Sequence, residues 1–430
     1  MCSAFWVLMR RSPLSWGSPL LAVCGLYLAL SYLKVGIDLA DRTSEAIRNS
    51  NQLMAPLAAA LSGLLGVREK RQHTAYTRIT AARSSSTVPL LELASLLVPG
   101  LAVYLLIVAV LVTKFLVGHN RYGTVQVAGI LEGAAELTVS IIVGYIVGRL
   151  VAVVVTPPVV LIVMYVAYVW NMDQAREPWF LFVPMSTLWV TAFDTWRANV
   201  LLWQLLWFSC LAGLLTSAMS WSFDRSRRSL TVVVLLSASL LGVATQVFAY
   251  GGQLIERADV RFTLKCFAQR PEVCVHPAYA SGVPKLATAF SPVLDRLQGA
   301  ILVPKLEQRP RGVYGNATLA GAAVFHLDDL RPGFQDYAVV EFVDDLRDWD
   351  ACSTTDSVTG RLLMEPVNEW LVTGHVGTRW TADAYYTRAG LASAVDSFNA
   401  RSEPQKMRWL KEHWEQYRTC RLTPVDFLGN

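Results

Sequence analysis

Long apolar stretches alternate with short polar ones from residue 15 to residue 250, after which polar residues spread more evenly. About 20 apolar residues carry a helix across a bilayer. Seven segments are predicted as spans on this pattern: residues 15–33, 52–67, 88–113, 124–147, 150–170, 200–220 and 230–250. The run from Leu137 to Trp170 covers 34 residues with only Arg149 interrupting it, too long for one span, so a turn is expected at Gly148–Arg149 and a break at Pro157–Pro158. The second segment is short and rich in Ala and Gly, which suits close packing against another helix.

The connecting segments have their own patterns. Residues 1–14 place Phe5, Trp6, Leu8 and Met9 directly before Arg10 and Arg11, the pattern of an interfacial amphipathic helix. Residues 35–50, with Asp38, Asp41 and Glu45, are expected as a polar outer loop. Residues 174–198 are apolar but punctuated by Pro178, Pro184, Asp194 and Arg197; too short to cross, they are expected to form a re-entrant or interfacial pair of short helices.

The basic interruption at residues 68–86 holds five Lys and Arg against a single acid, Glu69. If it is helical, Arg68, Arg71 and Arg78 fall on one side and Tyr76, Ile79 and Thr80 on another. It is either a solvated loop that fixes orientation or a docking element. Placed on the cytoplasmic side, it leaves eleven Lys and Arg in inner segments against six in outer ones, which puts the N-terminus inside and residues 251–430 outside.

Composition agrees with membrane insertion. Hydrophobic residues make up 53% and charged residues 17% of the 430, and mean hydropathy is positive, which excludes an ordinary soluble enzyme. The basic excess belongs to the membrane half: residues 1–255 hold 18 Lys and Arg against 11 acids, the remainder 20 against 22. Anionic lipid headgroups account for such charge, and no basic groove interleaved with stacking aromatics points to nucleic acid.

Residues 251–430 are long enough to bury a core of their own and read as an α+β extracytoplasmic domain. Strands are expected within 314–327 and helices at 334–349 and 383–399. The last helix is the clearest: Ser402 and Gln405 form a capping box, Pro404 sits in the first turn, and Met407, Leu410, Trp414 and Tyr417 make one apolar stripe. Cys266, Cys274, Cys352 and Cys420 allow three disulfide pairings. A tight turn around Pro271 favours Cys266 with Cys274, leaving Cys352 with Cys420; a zinc site is the weaker rival, since the histidines are scattered and no CxxC or HExxH spacing occurs.

Several stretches carry a resemblance. The amphipathic start FWVLMRRSPLSW, the second inner segment GLLGVREKRQHTAYTRITAARSS, the apolar outer stretch before the sixth span, and the tail words PEVCVHPAY and MRWLKEHWEQYRTCRLTPVDF resemble the permease subunit of ABC-2 type transporters, of the kind found in actinobacterial ABC export systems. The resemblance implies a mainly α polytopic membrane protein, a six-helix bundle here extended by a seventh span and a C-terminal outer domain. It also implies a separate ABC ATPase subunit as partner and a homodimer enclosing the path. No GxxxxGK[ST] loop, catalytic constellation or metal set stands in the chain, so no cofactor is expected and ATP hydrolysis falls to that other subunit. On this view Arg68, Glu69, Arg71, Tyr76, Arg78 and Ile79 belong to the ATPase-coupling segment.

Glu132 and Glu136 stand four residues apart on one face of the fourth span. Carboxylates inside a membrane are costly and face a cavity or a partner. They are therefore either translocation-path residues or groups that hydrogen-bond within the bundle and hold helices together. The alternative to an exporter is a membrane-anchored receptor or sensor with a ligand-binding outer domain; a membrane hydrolase would require a catalytic set the sequence does not display.

Overall fold

The computed structural model describes residues 2–71, 87–118, 121–173, 177–184, 191–225, 227–250, 254–257, 264–268, 271–310, 322–348, 351–352, 358–377 and 391–428. The chain divides into two compact units, residues 1–33 with 38–259, and residues 34–37 with 260–430.

The first unit begins with α1 (Cys2–Arg11) and α2 (Pro13–Tyr32), separated where Ser12 turns extended and Pro13 opens the next helix. Then follow β1 (Asp38–Leu39), α3 (Ala40–Asn49), α4 (Asn51–Arg71), α5 (Thr87–Val117), β2 (Arg121–Tyr122), α6 (Val127–Val151) and α7 (Thr156–Asp173). A 3-10 turn (Pro178–Phe182), β3 (Asp194–Trp196), α8 (Ala198–Asp224), α9 (Arg227–Ala249) and β4 (Ile255–Arg257) complete the unit. Among the described residues five helices, α2, α5, α6, α8 and α9, are long and apolar enough to cross a membrane. By length and composition the chain is a mainly helical, multi-pass membrane protein. The apolar part of α7 is shorter, Thr156–Asn171, and α4 ends in the charged turn Arg68–Arg71.

Three expectations are corrected here. Residues 35–50 are not a loop: α3 fills most of them, and every residue from Arg42 to Asn49 is buried. The turn after α6 comes at Ala152, which takes a left-handed conformation, rather than at Gly148–Arg149. Pro157 and Pro158 do not break a span but open α7, where a missing N–H leaves no helical bond unmade. The segment 174–198, expected as a re-entrant or interfacial pair of short helices, lies partly outside the described residues, at 174–176 and 185–190. Its described residues hold one 3-10 turn, Pro178–Phe182, and a strand, Asp194–Trp196, that pairs antiparallel with Ile255–Arg257.

Small residues let α4 and α6 meet at backbone distance. A Cβ built on Gly144 would lie 2.1 Å from the Ala59 carbonyl oxygen, one on Gly148 2.2 Å from that of Gly63, and one on Gly66 2.5 Å from that of Tyr145. Residues four apart on each helix thus form a small-xxx-small crossing, the arrangement that packs helices where lipid removes the hydrophobic drive. Leu14, Met54, Leu96, Tyr104, Ile141 and Tyr145 are buried around it.

In the second unit a four-stranded sheet runs in the order β5 (Lys265–Phe267), β6 (Glu272–Val275), β7 (Lys305–Gln308), β8 (Ala322–Phe325). β5 is antiparallel to β6, and β6, β7 and β8 are parallel, with α10 (Val283–Leu297) crossing over between β6 and β7 as parallel pairing requires. α11 (Phe334–Asp344), α12 (Val358–Thr373), α13 (Ala392–Asn399), α14 (Glu403–Glu412), α15 (Trp414–Arg418) and α16 (Pro424–Leu428) follow. Phe290 meets Phe325 and Phe342 edge-on at 5.4 and 5.3 Å, and Phe398 sits 4.9 Å from Trp409 and 5.6 Å from Trp370, giving two aromatic nuclei.

Cys266 and Cys274 stand directly opposite in the β5–β6 hairpin and are bonded, and Cys352 is bonded to Cys420. The capping box forms: the Ser402 N–H donates to Gln405 Oε1 at 2.8 Å. The apolar stripe that follows is interrupted, because α14 stops before His413 and the phase shifts. Trp409 and Leu410 take the core while Met407 and Trp414 are half-buried.

Candidate functional site

The polar helix α3 positions the most unusual chemistry in the chain. Asp41 in its first turn and Arg48 in its last oppose the helix dipole, and the Thr43 and Ser44 hydroxyls donate back to the Leu39 and Ala40 carbonyls at 3.0 Å. Ala46 and Ile47 enter the apolar core, so the remaining side chains are drawn in with them. Burying them requires partners, and α6 supplies these.

Arg48 makes a two-pronged ion pair with Glu132, Nε to Oε2 at 2.7 Å and Nη2 to Oε1 at 3.1 Å, with both residues at most 1% exposed. The Trp196 ring covers the guanidinium, 4.8 Å from Cζ, and donates its own N–H to the Asp41 carbonyl at 3.3 Å. Asn51 Nδ2 donates to the Gly133 carbonyl at 2.8 Å and to Glu136 Oε2 at 3.3 Å. The Tyr104 hydroxyl donates to the Ile130 carbonyl at 2.9 Å, and Ser44 Oγ accepts from the Gln126 N–H at 3.0 Å. A Cβ on Gly133 would lie 2.4 Å from the Tyr104 hydroxyl, so only glycine leaves room there.

Glu132 and Glu136 therefore share a face, as their spacing implies, and both hydrogen-bond within the bundle. What the sequence reading missed is their company: Arg48 and Asn51, 84 and 85 residues away from their carboxylate partners, and Trp196. The signal available was that a buried carboxylate calls for a cation, and Arg42 and Arg48 are the cations of the 35–50 segment. Thirteen residues further along α6, about 20 Å at helical rise, the Tyr145 hydroxyl donates to Glu92 Oε2 of α5 at 2.8 Å and accepts from Arg149 at 3.3 Å.

Of the expected coupling residues, Arg68 is exposed on the last turns of α4. Glu69 and Arg71 continue that helix, their side chains outside the described residues, where Tyr76, Arg78 and Ile79 also lie.

The second unit has a smaller buried polar set where β6, β7 and β8 end. His276 N–H donates to Gln308 Oε1 at 2.9 Å, and Gln308 Nε2 donates to the Leu327 carbonyl at 3.1 Å. His326 lies 3.1 Å from Asp345. Burial pushes the His276 imidazole from 6.5 down to about 4. The native state then binds fewer protons than the unfolded chain between those values, so its stability is complete above pH 6.5 and falls as pH drops toward 4, by about 3 kcal/mol in all. Burial opposes protonation of His326 as well, but Asp345 and the Arg309 carbonyl hold its pKa above the usual value, which works in the other direction at higher pH. Hydrogen exchange of β6 and β7 in the full chain, corrected for intrinsic rates, should lose protection at pH 5 relative to pH 7, and His276→Asn should flatten that difference. Equal protection at both pH values would contradict the assignment of a neutral buried imidazole.

None of the protein-family models, curated proteins or solved structures compared with the chain matches it, and the chemistry of this site stands on its own geometry.

Proposed function

We propose that the chain is the permease subunit of an ABC-type exporter, of the ABC-2 kind, driven by a separate ATP-hydrolysing subunit. The observation that carries this reading is the continuity of α4. The helix starts at Asn51, beside the Arg48–Glu132 pair, and runs to Arg71, entering the basic segment at 68–86. Its 21 residues span about 30 Å. A partner docked on the basic segment would move α4 against α6, and the crossing at Gly144 and Gly148 gives that motion a rigid fulcrum. Displacing α4 would separate Asn51 from Glu136 and, through the junction with α3 at Ser50, pull Arg48 from Glu132, opening a polar path past Glu136 in the bundle interior. In this scheme the N-terminus and residues 68–86 are cytoplasmic, seven segments span the membrane, residues 251–430 are extracytoplasmic, and two copies enclose the path.

The test is capture of the partner. Wild-type chain purified from its native membrane should bring an ATP-hydrolysing subunit with it, and Arg71→Glu with Arg78→Glu should weaken that association on the order of 100-fold, since like charges across an interface cost several kcal/mol. Insertion should survive, because Arg10, Arg11, Arg225, Arg227 and Arg228 still set orientation. A wild type that brings no such subunit, or a double variant that keeps it with unchanged affinity and still transports, would overturn the proposal.

A further inference from the structure

The two disulfides of the second unit are unlike. Cys352 and Cys420 are both buried and lie 68 residues apart, so their bond constrains a long loop. Cys266 and Cys274 lie 8 residues apart; Cys274 is buried, whereas Cys266, on the edge strand β5, is exposed. A thiolate can reach the exposed sulfur from the side away from Cys274, and a bond that closes so short a loop adds little constraint. This is the disulfide that a dithiol opens first, in a two-electron, two-proton exchange that leaves two thiols here and a disulfide on the reductant.

Register decides what the opened hairpin holds. The β5–β6 ladder keeps Cys266 opposite Cys274, and β6 is fixed on its other side by β7. Glu272, two residues before Cys274, projects from the same face of β6. The two sulfurs and a Glu272 carboxylate oxygen lie within 4.8 Å of one another. Sulfurs about 2.3 Å and an oxygen about 2.1 Å from a tetrahedral ion stand roughly 4 Å apart, so small side-chain rotations close the set. The carboxylate is also uncommitted. Lys305, opposite Glu272 in β7, is paired with Glu307 at 2.6 Å, and Glu272 makes no ion pair among the described residues.

We propose that reduction of Cys266–Cys274 converts this hairpin into a Zn2+ site, held by the two thiolates and the Glu272 carboxylate with water in the fourth position. Binding displaces both thiol protons, and the charge of the ion offsets the three anions drawn together. Thiolates select a soft or borderline ion, which excludes Ca2+ and Mg2+, and a carboxylate beside them suits Zn2+ better than Cu+. Disulfide and metal site are then alternative states of the same residues. The inference concerns the second unit and stands whether or not the chain is an exporter.

Co2+ is the probe, because bound thiolates give it a charge-transfer band. The full chain in detergent is titrated with Co2+ before and after treatment with dithiothreitol, removed without admitting air, while alkylation and mass spectrometry report which cysteines have opened. Cys266 and Cys274 should be alkylated at a dithiol concentration that leaves Cys352 and Cys420 bonded. The band should appear only in the reduced chain, saturate at one equivalent and vanish on adding Zn2+. Cys266→Ser, at the exposed position, should abolish it. Glu272→Ala leaves the disulfide able to form and should weaken binding at least about tenfold. A reduced chain with no band, an equal band in the oxidised chain, a band that survives Cys266→Ser, or unchanged affinity in Glu272→Ala would overturn the proposal. So would a Cys266–Cys274 bond that resists the dithiol until the chain unfolds.

Discussion

Arg48→Met should destabilise the first unit by about 3–5 kcal/mol, enough to abolish its cooperative unfolding transition in detergent. The substitution keeps the length and apolar stem of the side chain but leaves Glu132 and Glu136 buried without the guanidinium, and an uncompensated buried charge costs far more than a lost contact. Combining it with Glu132→Leu should restore much of the stability, because two apolar side chains of similar volume replace the pair without desolvating any charge. The double variant then separates two roles. If the chain is the exporter proposed above and the pair gates its path, the refolded double variant should insert and still capture the ATP-hydrolysing subunit yet fail to transport. If the pair only holds helices together, the activity proposed above should return with stability. Failure of the double variant to recover any stability would mean that the surrounding cluster depends on Arg48 for more than the charge of Glu132.

Gly148→Ala should cost about 1–3 kcal/mol, and Gly144→Leu should prevent the first unit from folding. The reason is that the obstructing atoms are backbone carbonyl oxygens of α4, 2.1 and 2.2 Å from the positions a Cβ would take, which cannot swing aside as a side chain could. Gly242 in α9 is the control. Nothing lies within 4 Å of its Cβ position, so Gly242→Ala should be neutral or should stabilise by up to about 1 kcal/mol through helix propensity. The three variants compared by melting temperature distinguish a tight crossing from a general sensitivity of membrane helices to added volume. Equal effects at Gly148 and Gly242 would show that α4 and α6 do not meet at backbone distance.

Features that depend on a few adjacent residues were readable from the chain. Apolar run length located most of the helices, because the free energy of placing a segment in lipid is a sum over its own side chains. The spacing of Glu132 and Glu136 put them on one face, the Ser402–Gln405 pair marked a helix start, and a tight turn around Pro271 favoured the Cys266–Cys274 pairing that the β5–β6 hairpin makes. Each rests on the helical or strand repeat acting over at most about ten residues.

What decided the site was contact between distant parts of the chain. Residues 40–49 are polar enough to read as a loop, and hydropathy alone leaves them in water. They fold as a buried helix because Glu132 and Glu136 offer countercharge and acceptors, Gln126 offers a backbone donor, and Trp196 covers the guanidinium. Whether a charge can be buried depends on what faces it, and here the facing groups lie more than 80 residues away. The end of α6 has the same cause: Gly148 looked like a turn residue by its type, but packing against the Gly63 carbonyl keeps it helical and moves the turn to Ala152. Sequence located the five helices long and apolar enough to enter a membrane; only tertiary packing determined which polar residues are buried with them, since desolvation is offset by partners that no local pattern specifies.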